Sequence, residues 1–240
     1  MNFEQLRNML PPYGILLTVG FCIAVFFLYR RFMKEKRDPY QKIWSFFKII
    51  MISLAIGQAE MLLLILIYTG NLIKFDPRTN SSFILSLAGL IIFSFFITKQ
   101  KRQILFDNFG DYVTAILIWQ IFGKLACFKA GCCYGFCSII SPHFPIQLFE
   151  TSLFLFAMVV FFKLPDGMNK EQTSYFYLLF YGSERFIAEF FRSDSEYLIN
   201  GVSIYQVLSI LIVVFSFLLL VNFDRDRKRD LVVCIPKQSI

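Results

Sequence analysis

Few residues of the kinds that serve common catalytic and metal-binding devices occur in this sequence. It contains one histidine, His143, so any Ser-His-Asp or Cys-His arrangement would have to use that residue. A single histidine in a loop is more often a bystander than a base or a ligand. Four of the six cysteines follow a Cys-x4-Cys-Cys-x3-Cys spacing, which matches none of the usual zinc patterns. We therefore expect no metal site and no cofactor.

The sequence also lacks the features of several protein classes. No internal repeat, low-complexity segment or linker divides it, so residues 1–240 are expected to form a single domain. The net charge of +7 is not gathered in a basic patch with interleaved aromatic residues, which argues against nucleic acid as a partner. The first apolar run has no basic segment before it and no clean cleavage site of small residues, so we expect no signal peptide.

Apolar residues, in contrast, are abundant. They make up 57% of the chain, against about 45–50% in a soluble domain, and phenylalanine alone accounts for 31 positions. Runs of about 20 apolar residues are long enough to cross a bilayer. The sequence contains seven such runs, at residues 12–29, 43–69, 82–98, 109–128, 146–162, 173–191 and 203–222. These runs predict an all-α polytopic membrane protein, with about seven transmembrane helices in one membrane domain.

The positively charged residues alternate between the segments that join these runs. Sixteen of the 24 Lys and Arg residues lie in every second segment and in the C-terminal tail, against six in the intervening segments. Because excess Lys and Arg mark cytoplasmic loops, this count predicts an N terminus outside and a C terminus in the cytoplasm. The clustered cysteines then fall on the outer side, where they form disulfides or remain free thiols. They are Cys127, Cys132, Cys133 and Cys137.

The sixth run is unusual because it contains charges, in the order Tyr181-Gly182-Ser183-Glu184-Arg185-Phe186-Ile187-Ala188-Glu189-Phe190-Phe191-Arg192. Arg185 and Glu189 are four residues apart and share a helix face, with Tyr181 and Arg192 one turn to either side. Charges within a span cost about 2.5–3.5 kcal/mol each and usually face the bundle interior. Two guanidinium groups beside one acid leave a positive charge, which favours a phosphate-bearing ligand. A buried ion pair that fixes helix packing is the alternative interpretation.

A second polar segment ends the fourth run, from Gly123 to Gly135. Lys124 and Lys129 lie near the expected outer boundary of the membrane, where each is either a site residue or a snorkelling anchor. The three glycines of this segment permit a close approach of the backbone to a helix or a ligand. Asp111 opens the same run near the inner boundary, where it is expected to cap its helix.

These motifs resemble those of the bacterial prolipoprotein diacylglyceryl transferases. The sixth run is similar to the family's Y-G-x-x-R-F-x-x-E-F-x-R helix, without a gap. Residues 145–150, Pro-Ile-Gln-Leu-Phe-Glu, resemble the family's H-P-x-Q-L-Y-E segment, although Phe144 stands at the position of its histidine. The stretch from Tyr13 to Phe21 resembles the family's first span. Residues 123–135 are similar to the signature G-R-x-G-N-F-x-N-x-E-x-x-G in length and in the terminal glycines.

The resemblance implies an enzyme of lipoprotein biosynthesis, a multi-pass protein of the bacterial plasma membrane. The family transfers a diacylglyceryl group from phosphatidylglycerol to the lipobox cysteine thiol of a prolipoprotein. This forms a thioether and releases glycerol phosphate. By this resemblance the catalytic residues are Arg185, Glu189 and Lys124. Arg185 would hold the leaving glycerol phosphate, and Glu189 would orient it or help to deprotonate the thiol. The substrate-binding residues that it implies are Tyr13, Tyr134, Gly135, Gln147, Glu150, Tyr181 and Arg192.

Several polar positions depart from the family pattern. Lys124 replaces an arginine, Cys127 an asparagine and Cys132 a glutamate, and the third run has no histidine where the family carries a His-Gly-Gly-type motif. These replacements leave a second hypothesis, a non-catalytic lipid-binding membrane protein of the same fold. A small transporter or channel is a third hypothesis. A pore needs polar residues on several spans, however, and four of the seven runs are almost wholly apolar.

Overall fold

The computed structural model describes residues 3–34, 38–69, 83–131, 135–137, 141–163, 168–192, 197–199 and 202–233. Within these ranges the chain is mainly α-helical, with two small β-hairpins that the hydropathy pattern did not indicate. Tyr134, Cys132 and Cys133 lie outside the described residues, so what the sequence predicts for them stays a prediction.

Each of the seven apolar runs corresponds to one helix. A short helix, α1 (Phe3–Met9), precedes them. The helices that follow are α2 (Tyr13–Lys34), α3 (Pro39–Thr69), α4 (Phe83–Phe96), α5 (Lys99–Ala130), α6 (Ile146–Lys163), α7 (Lys170–Glu189) and α8 (Ile204–Val233). Judged on the described residues, α2, α5, α6 and the Ile204–Arg225 part of α8 are long and apolar enough to cross a membrane. The chain is therefore a multi-pass helical membrane protein.

Helix α5 lies at the centre of the bundle. It packs against α2, α3, α6 and α7, and most of its residues from Phe106 to Ile118 are buried. With 32 residues it is about 48 Å long, which exceeds the roughly 30 Å thickness of a bilayer's hydrocarbon core. The apolar run at 109–128 is thus only the later part of a longer helix.

The prediction that Asp111 caps a helix is wrong. Because residues 99–108 are mainly polar but helical, α5 begins about three turns before Asp111 and places it in the helix interior. The buried carboxylate pairs instead with Lys170 Nζ at 2.5 Å and Lys42 Nζ at 3.6 Å. Lys42 also donates a hydrogen bond to Asn108 Oδ1 at 3.1 Å. These four residues, which we call the Asp111 cluster, join α3, α5 and α7.

Two glycines allow α7 to lie close to its neighbours. A Cβ atom at Gly110 on α5 would overlap the backbone carbonyl of Lys170, where α7 begins. A Cβ atom at Gly182, within α7, would meet methyl carbons of Ile212 and Val213 on α8 at 3.0 Å. Helix α7 is therefore held against α5 at its start and against α8 further along. This packing determines where the charged residues near its end lie.

Two antiparallel hairpins lie at the end of the bundle where α5 and α7 finish. β1 (Gly135–Cys137) pairs with β2 (Ser141–Phe144) between α5 and α6, and β3 (Tyr197–Ile199) pairs with β4 (Val202–Ser203) between α7 and α8. An isolated bridge joins Gly135 to Arg192. His143 is on strand β2 rather than in a loop; its side chain is not described, and its bystander role stays a prediction.

Candidate functional site

Charged side chains from three helices meet at the end of the bundle that carries the hairpins. Lys124 Nζ on α5 lies 2.6 Å from Glu150 Oε1 on α6. Arg185 Nη1 on α7 lies 3.4 Å from the same oxygen. Glu150 is fully buried, the Arg185 side chain is 9% exposed and that of Lys124 is 22% exposed. One buried carboxylate therefore joins cations from two other helices.

Glu189 adds a second acid to this group. Its Oε2 atom lies 3.2 Å from Arg185 Nη2 and 3.9 Å from Arg192 Nε. The prediction that Arg192 continues the same helical face is wrong, because α7 ends at Glu189 and the chain leaves the helix through a turn at Phe190 and Phe191. Arg192 reaches Glu189 from outside the helix. We call the five charged residues Lys124, Glu150, Arg185, Glu189 and Arg192 the Glu150 cluster.

The start of α8 also contacts the cluster, through a hydrogen bond to Glu189 and a ring contact with Arg185. The Ser203 hydroxyl donates to Glu189 Oε1 at 3.0 Å and accepts from the Gln206 backbone N–H at 3.1 Å. The Ser203 N–H in turn donates to Gln206 Oε1 at 2.9 Å, which completes a capping box. The Arg185 guanidinium lies over the Tyr205 ring, 5.4 Å from its centroid. Sequence reasoning missed these residues, although Ser-x-x-Gln is a capping-box signal.

Two further predicted residues are buried beside the cluster. Tyr181 lies one turn before Arg185 on α7, and its ring stacks against those of Tyr177 and Phe154. Gln147 is fully buried one turn before Glu150 on α6. The structure thus brings both residues to the same region as the charged groups.

The remaining predicted residues are more peripheral. Gly135 is buried on β1, where its backbone bridges to Arg192. Tyr13 is the first residue of α2 and is 45% exposed. Leu17, one turn later, lies 3.9 Å from where a Cβ atom on Gly123 would be. Tyr13 therefore lies at the same end of the bundle but is not one of the ion-paired residues.

Glu184 is a third acid next to the cluster, and sequence reasoning assigned it no role. It is 3% exposed, and among the described residues neither of its carboxylate oxygens has a hydrogen-bond partner. Its charge interacts with that of Glu150 and with the three cations of the cluster. A sequence signal existed, because Tyr177, Tyr181 and Glu184 are spaced by four and three residues and so share a face of α7.

The two lysines of the signature segment have different surroundings. Lys124 is part of a buried ion pair, which favours the site interpretation over a snorkelling anchor. Lys129 Nζ donates instead to the backbone carbonyls of Arg7 and Asn8, at 3.0 and 3.4 Å. It therefore fastens α1 to the end of α5, which is a structural role.

Among the described residues, the ion pairs of the cluster join three cations, two of them guanidinium groups, to two acids, and the carboxyl group of Glu184 lies beside them. Within the described ranges, no three His, Cys, Asp or Glu side chains are placed to hold a metal ion. Cys127 is half-buried on α5, while the side chains of its three sequence partners are not described, so a disulfide stays a prediction. The arrangement is suited to binding a phosphate group by charge and hydrogen bonds.

A cavity of about 630 Å³ lies at the opposite end of α5 and α7. Its lining contains Lys99 and Arg102 from α5, Glu171 and Tyr175 from α7, and Asn222 from α8. None of the predicted site residues lines it. The candidate site is therefore identified by its buried charges and not by this cavity.

Comparison with known proteins gives a consistent result. The family model for prolipoprotein diacylglyceryl transferase matches residues 5–222, which include the whole Glu150 cluster. The chain is similar to the phosphatidylglycerol–prolipoprotein diacylglyceryl transferase of Clostridium tetani (strain Massachusetts / E88). The two are 27% identical over an alignment of 250 positions, which covers 95% of this chain and 98% of the relative.

Two further relatives match shorter parts of the chain. Phosphatidylglycerol–prolipoprotein diacylglyceryl transferase 2 of Clostridium perfringens (strain 13 / Type A) is 31% identical over an alignment of 134 positions, which covers 49% of this chain and 52% of the relative. The phosphatidylglycerol–prolipoprotein diacylglyceryl transferase of Idiomarina loihiensis is 29% identical over an alignment of 155 positions. This alignment covers 57% of this chain and 58% of the relative.

Proposed function

The chain belongs to the prolipoprotein diacylglyceryl transferase family, and from that premise we propose that it transfers a diacylglyceryl group from phosphatidylglycerol to the cysteine thiol of a prolipoprotein. The products are a thioether on the protein and free glycerol phosphate. The observation that carries this proposal is the position of Arg185, a buried guanidinium held between Glu150 and Glu189 next to two further cations.

Arg185 is suited to binding the phosphate of the lipid. A guanidinium presents five N–H donors in a planar fork that matches phosphate oxygens. Glu150, Glu189 and the Tyr205 ring contact this fork from different sides, and together they restrict its orientation. When the bond between the glyceryl carbon and the phosphate oxygen breaks, negative charge grows on the leaving phosphate. A cation placed beforehand in a low-dielectric site stabilises that charge strongly.

The other predicted residues receive supporting roles in this proposal. Lys124 and Arg192 add positive charge near the phosphate, and Glu189 orients Arg185. Five residues are assigned to the lipid head group and its surroundings: Tyr13, Tyr134, Gly135, Gln147 and Tyr181. Glu150, expected to bind substrate, acts as the shared counter-ion of Lys124 and Arg185, a role supported by their distances of 2.6 and 3.4 Å.

We extend the proposal to topology. Seven crossings with the N terminus outside and the C terminus in the cytoplasm, in a single membrane domain, would place the Glu150 cluster near the outer boundary of the bacterial plasma membrane. The alternation of Lys and Arg along the sequence supports this orientation. A site at that boundary would meet both a membrane phospholipid and the thiol of a prolipoprotein that has crossed the membrane.

The test is a transfer assay with purified protein in detergent. Phosphatidylglycerol labelled in its acyl chains and a lipobox peptide with one cysteine are the substrates, and lipidated peptide is the product measured. We expect transfer by the wild type and a loss of about 100- to 1000-fold in Arg185→Ala, as for removal of a group that stabilises transition-state charge. Arg30→Ala is the matched control, because Arg30 is an exposed arginine on α2, and it should keep the wild-type rate.

Two results would contradict the proposal in different ways. Binding of phosphatidylglycerol without turnover by the wild type would favour the non-catalytic lipid-binding protein of the same fold. Equal transfer rates for the wild type and Arg185→Ala would show that the reaction takes place without this guanidinium, and the site would have to be sought elsewhere.

A further inference from the structure

Glu184 takes no part in the described ion pairs of the Glu150 cluster. Its side chain is 3% exposed, and both carboxylate oxygens are buried without a hydrogen-bond partner among the described residues. Burial of a carboxylate without compensation is costly. A carboxyl group at this position therefore needs a proton of its own or a ligand that donates to it. This need distinguishes Glu184 from Glu150 and Glu189, whose charges are paired with cations.

The surroundings of Glu184 are those of the proposed phosphate site. The groups that act on its charge are Lys124 from α5, Glu150 from α6, Tyr177, Tyr181 and Arg185 from α7, and Arg192 beyond the end of α7. The Tyr177 hydroxyl donates to Gln120 Oε1 at 2.9 Å, so this face of α7 is turned towards α5. Glu184 thus borders the cations that would hold the lipid phosphate, while its own oxygens stay available for a proton.

We propose that Glu184 is the proton carrier of the transfer reaction, an inference that rests on the proposed function. The carboxylate of Glu184 removes the proton from the cysteine thiol, and the sulfur forms a bond with the terminal glyceryl carbon. The bond between that carbon and the phosphate oxygen breaks, and its electron pair stays with the leaving oxygen. The proton then passes from Glu184 to the glycerol phosphate. A thiol and a phosphodiester monoanion become a thioether and a phosphate monoester monoanion, and Glu184 is restored.

The test compares Glu184→Gln with the wild type across a range of about pH 6 to 9, which approaches the usual thiol pKa of about 8.5. Glutamine has nearly the same shape as glutamate but cannot carry the proton. We expect its transfer rate at pH 7 to be about 100-fold lower, as for loss of a general acid–base group. The rate should then rise about tenfold for each pH unit below the thiol pKa, because the thiolate must form without help. The wild type should depend on pH much less.

Two controls accompany this comparison. Ser183→Ala changes the exposed neighbour of Glu184 and should keep the wild-type rate and pH profile. Glu184→Asp keeps a carboxyl group on a shorter side chain, so it should be slower than the wild type but share its weak pH dependence. If Glu184→Gln cannot be purified in a folded state, the profile of Glu184→Asp decides: a weak dependence supports the proposal and a steep one overturns it.

The remaining outcomes separate failure of the Glu184 proposal from failure of the transferase proposal. A Glu184→Gln rate equal to that of the wild type overturns the proposal, and so does a rate lowered by the same factor at every pH, which indicates a structural role. Both results leave the transferase proposal intact, because the wild type is active in each. Only an inactive wild type would contradict the proposed function itself.

Discussion

Two clusters of buried charge lie along α5, and they differ in the kind of cation that they contain. Asp111 and Lys124 are 13 residues apart on this helix, about 20 Å along its axis. In the Asp111 cluster, one carboxylate forms ion pairs with lysines from two other helices, one at each of its oxygens. In the Glu150 cluster, three cations share two acids, and Glu184 lies beside them outside the ion pairs. The first arrangement contains only ammonium groups and fastens helices together, whereas the second contains two guanidinium groups, which are suited to binding a phosphate group.

This comparison explains why burial of charge alone does not identify a site. Both clusters contain a carboxylate that is at most 1% exposed, and both join three helices. Within the described ion pairs each cluster has one more cation than acids, so the charge balance does not distinguish them. They differ in the presence of guanidinium groups, which bind phosphate in bidentate fashion whereas an ammonium group acts as a point charge. The comparison predicts that mutations in the two clusters affect activity and stability differently.

The largest effect is expected for Glu150→Gln. This change leaves Lys124 and Arg185 without their shared counter-ion, so the buried Arg185 guanidinium keeps only Glu189 and Tyr205 to orient it. We expect the transfer rate to fall by about 100- to 1000-fold and the free energy of unfolding to decrease by about 3–5 kcal/mol. The rate is measured with the lipobox peptide and stability by thermal unfolding in detergent. A wild-type rate in a folded Glu150→Gln protein would show that the reaction does not need this cluster.

Asp111→Asn should separate stability from activity. Removal of the buried negative charge leaves Lys42 and Lys170 without their shared partner, and because both lysines are partly exposed we expect a loss of about 1–3 kcal/mol in stability. The transfer rate per folded molecule should stay within about threefold of the wild type, since the site lies several helical turns away. Asp38→Asn, a matched change at an exposed aspartate, should leave both properties unchanged. A 100-fold slower but fully stable Asp111→Asn protein would contradict the division between the two clusters.

The smallest effect is expected for Lys124→Arg. Arginine keeps the positive charge beside Glu150 and adds a planar fork, and it is the residue that the family signature carries at this position. We expect a transfer rate within about fivefold of the wild type, because the charge is conserved while the geometry changes. Lys129→Arg, at the lysine that fastens α1, is the control. A much larger loss in Lys124→Arg would indicate that the site requires the compact ammonium group of this chain.

The helices could be predicted from the sequence because each bilayer-length apolar run must satisfy its backbone hydrogen bonds internally. All seven runs correspond to helices, and within the described residues four of these are long and apolar enough to cross a membrane. Helix boundaries were less predictable. Helix α5 begins at Lys99, about ten residues before its apolar run, because the mainly polar segment before that run is also helical. The end of α7 was also misjudged, since the apolar pair Phe190 and Phe191 extends the hydrophobic pattern into a turn.

Within the candidate site, the sequence by itself determined the contacts between residues of a single helix. Arg185 and Glu189 are four residues apart, so a helical backbone places them on one face, and their side chains lie 3.2 Å apart. Only the tertiary structure decided that Glu150, 35 positions before Arg185, is the shared counter-ion of Arg185 and Lys124, and that Ser203 and Tyr205 contact the same group. The physical reason is that such contacts depend on how close the helices lie and how they are rotated. In α7 this depends on close packing at Gly110 and Gly182, whereas local periodicity carries no information about it.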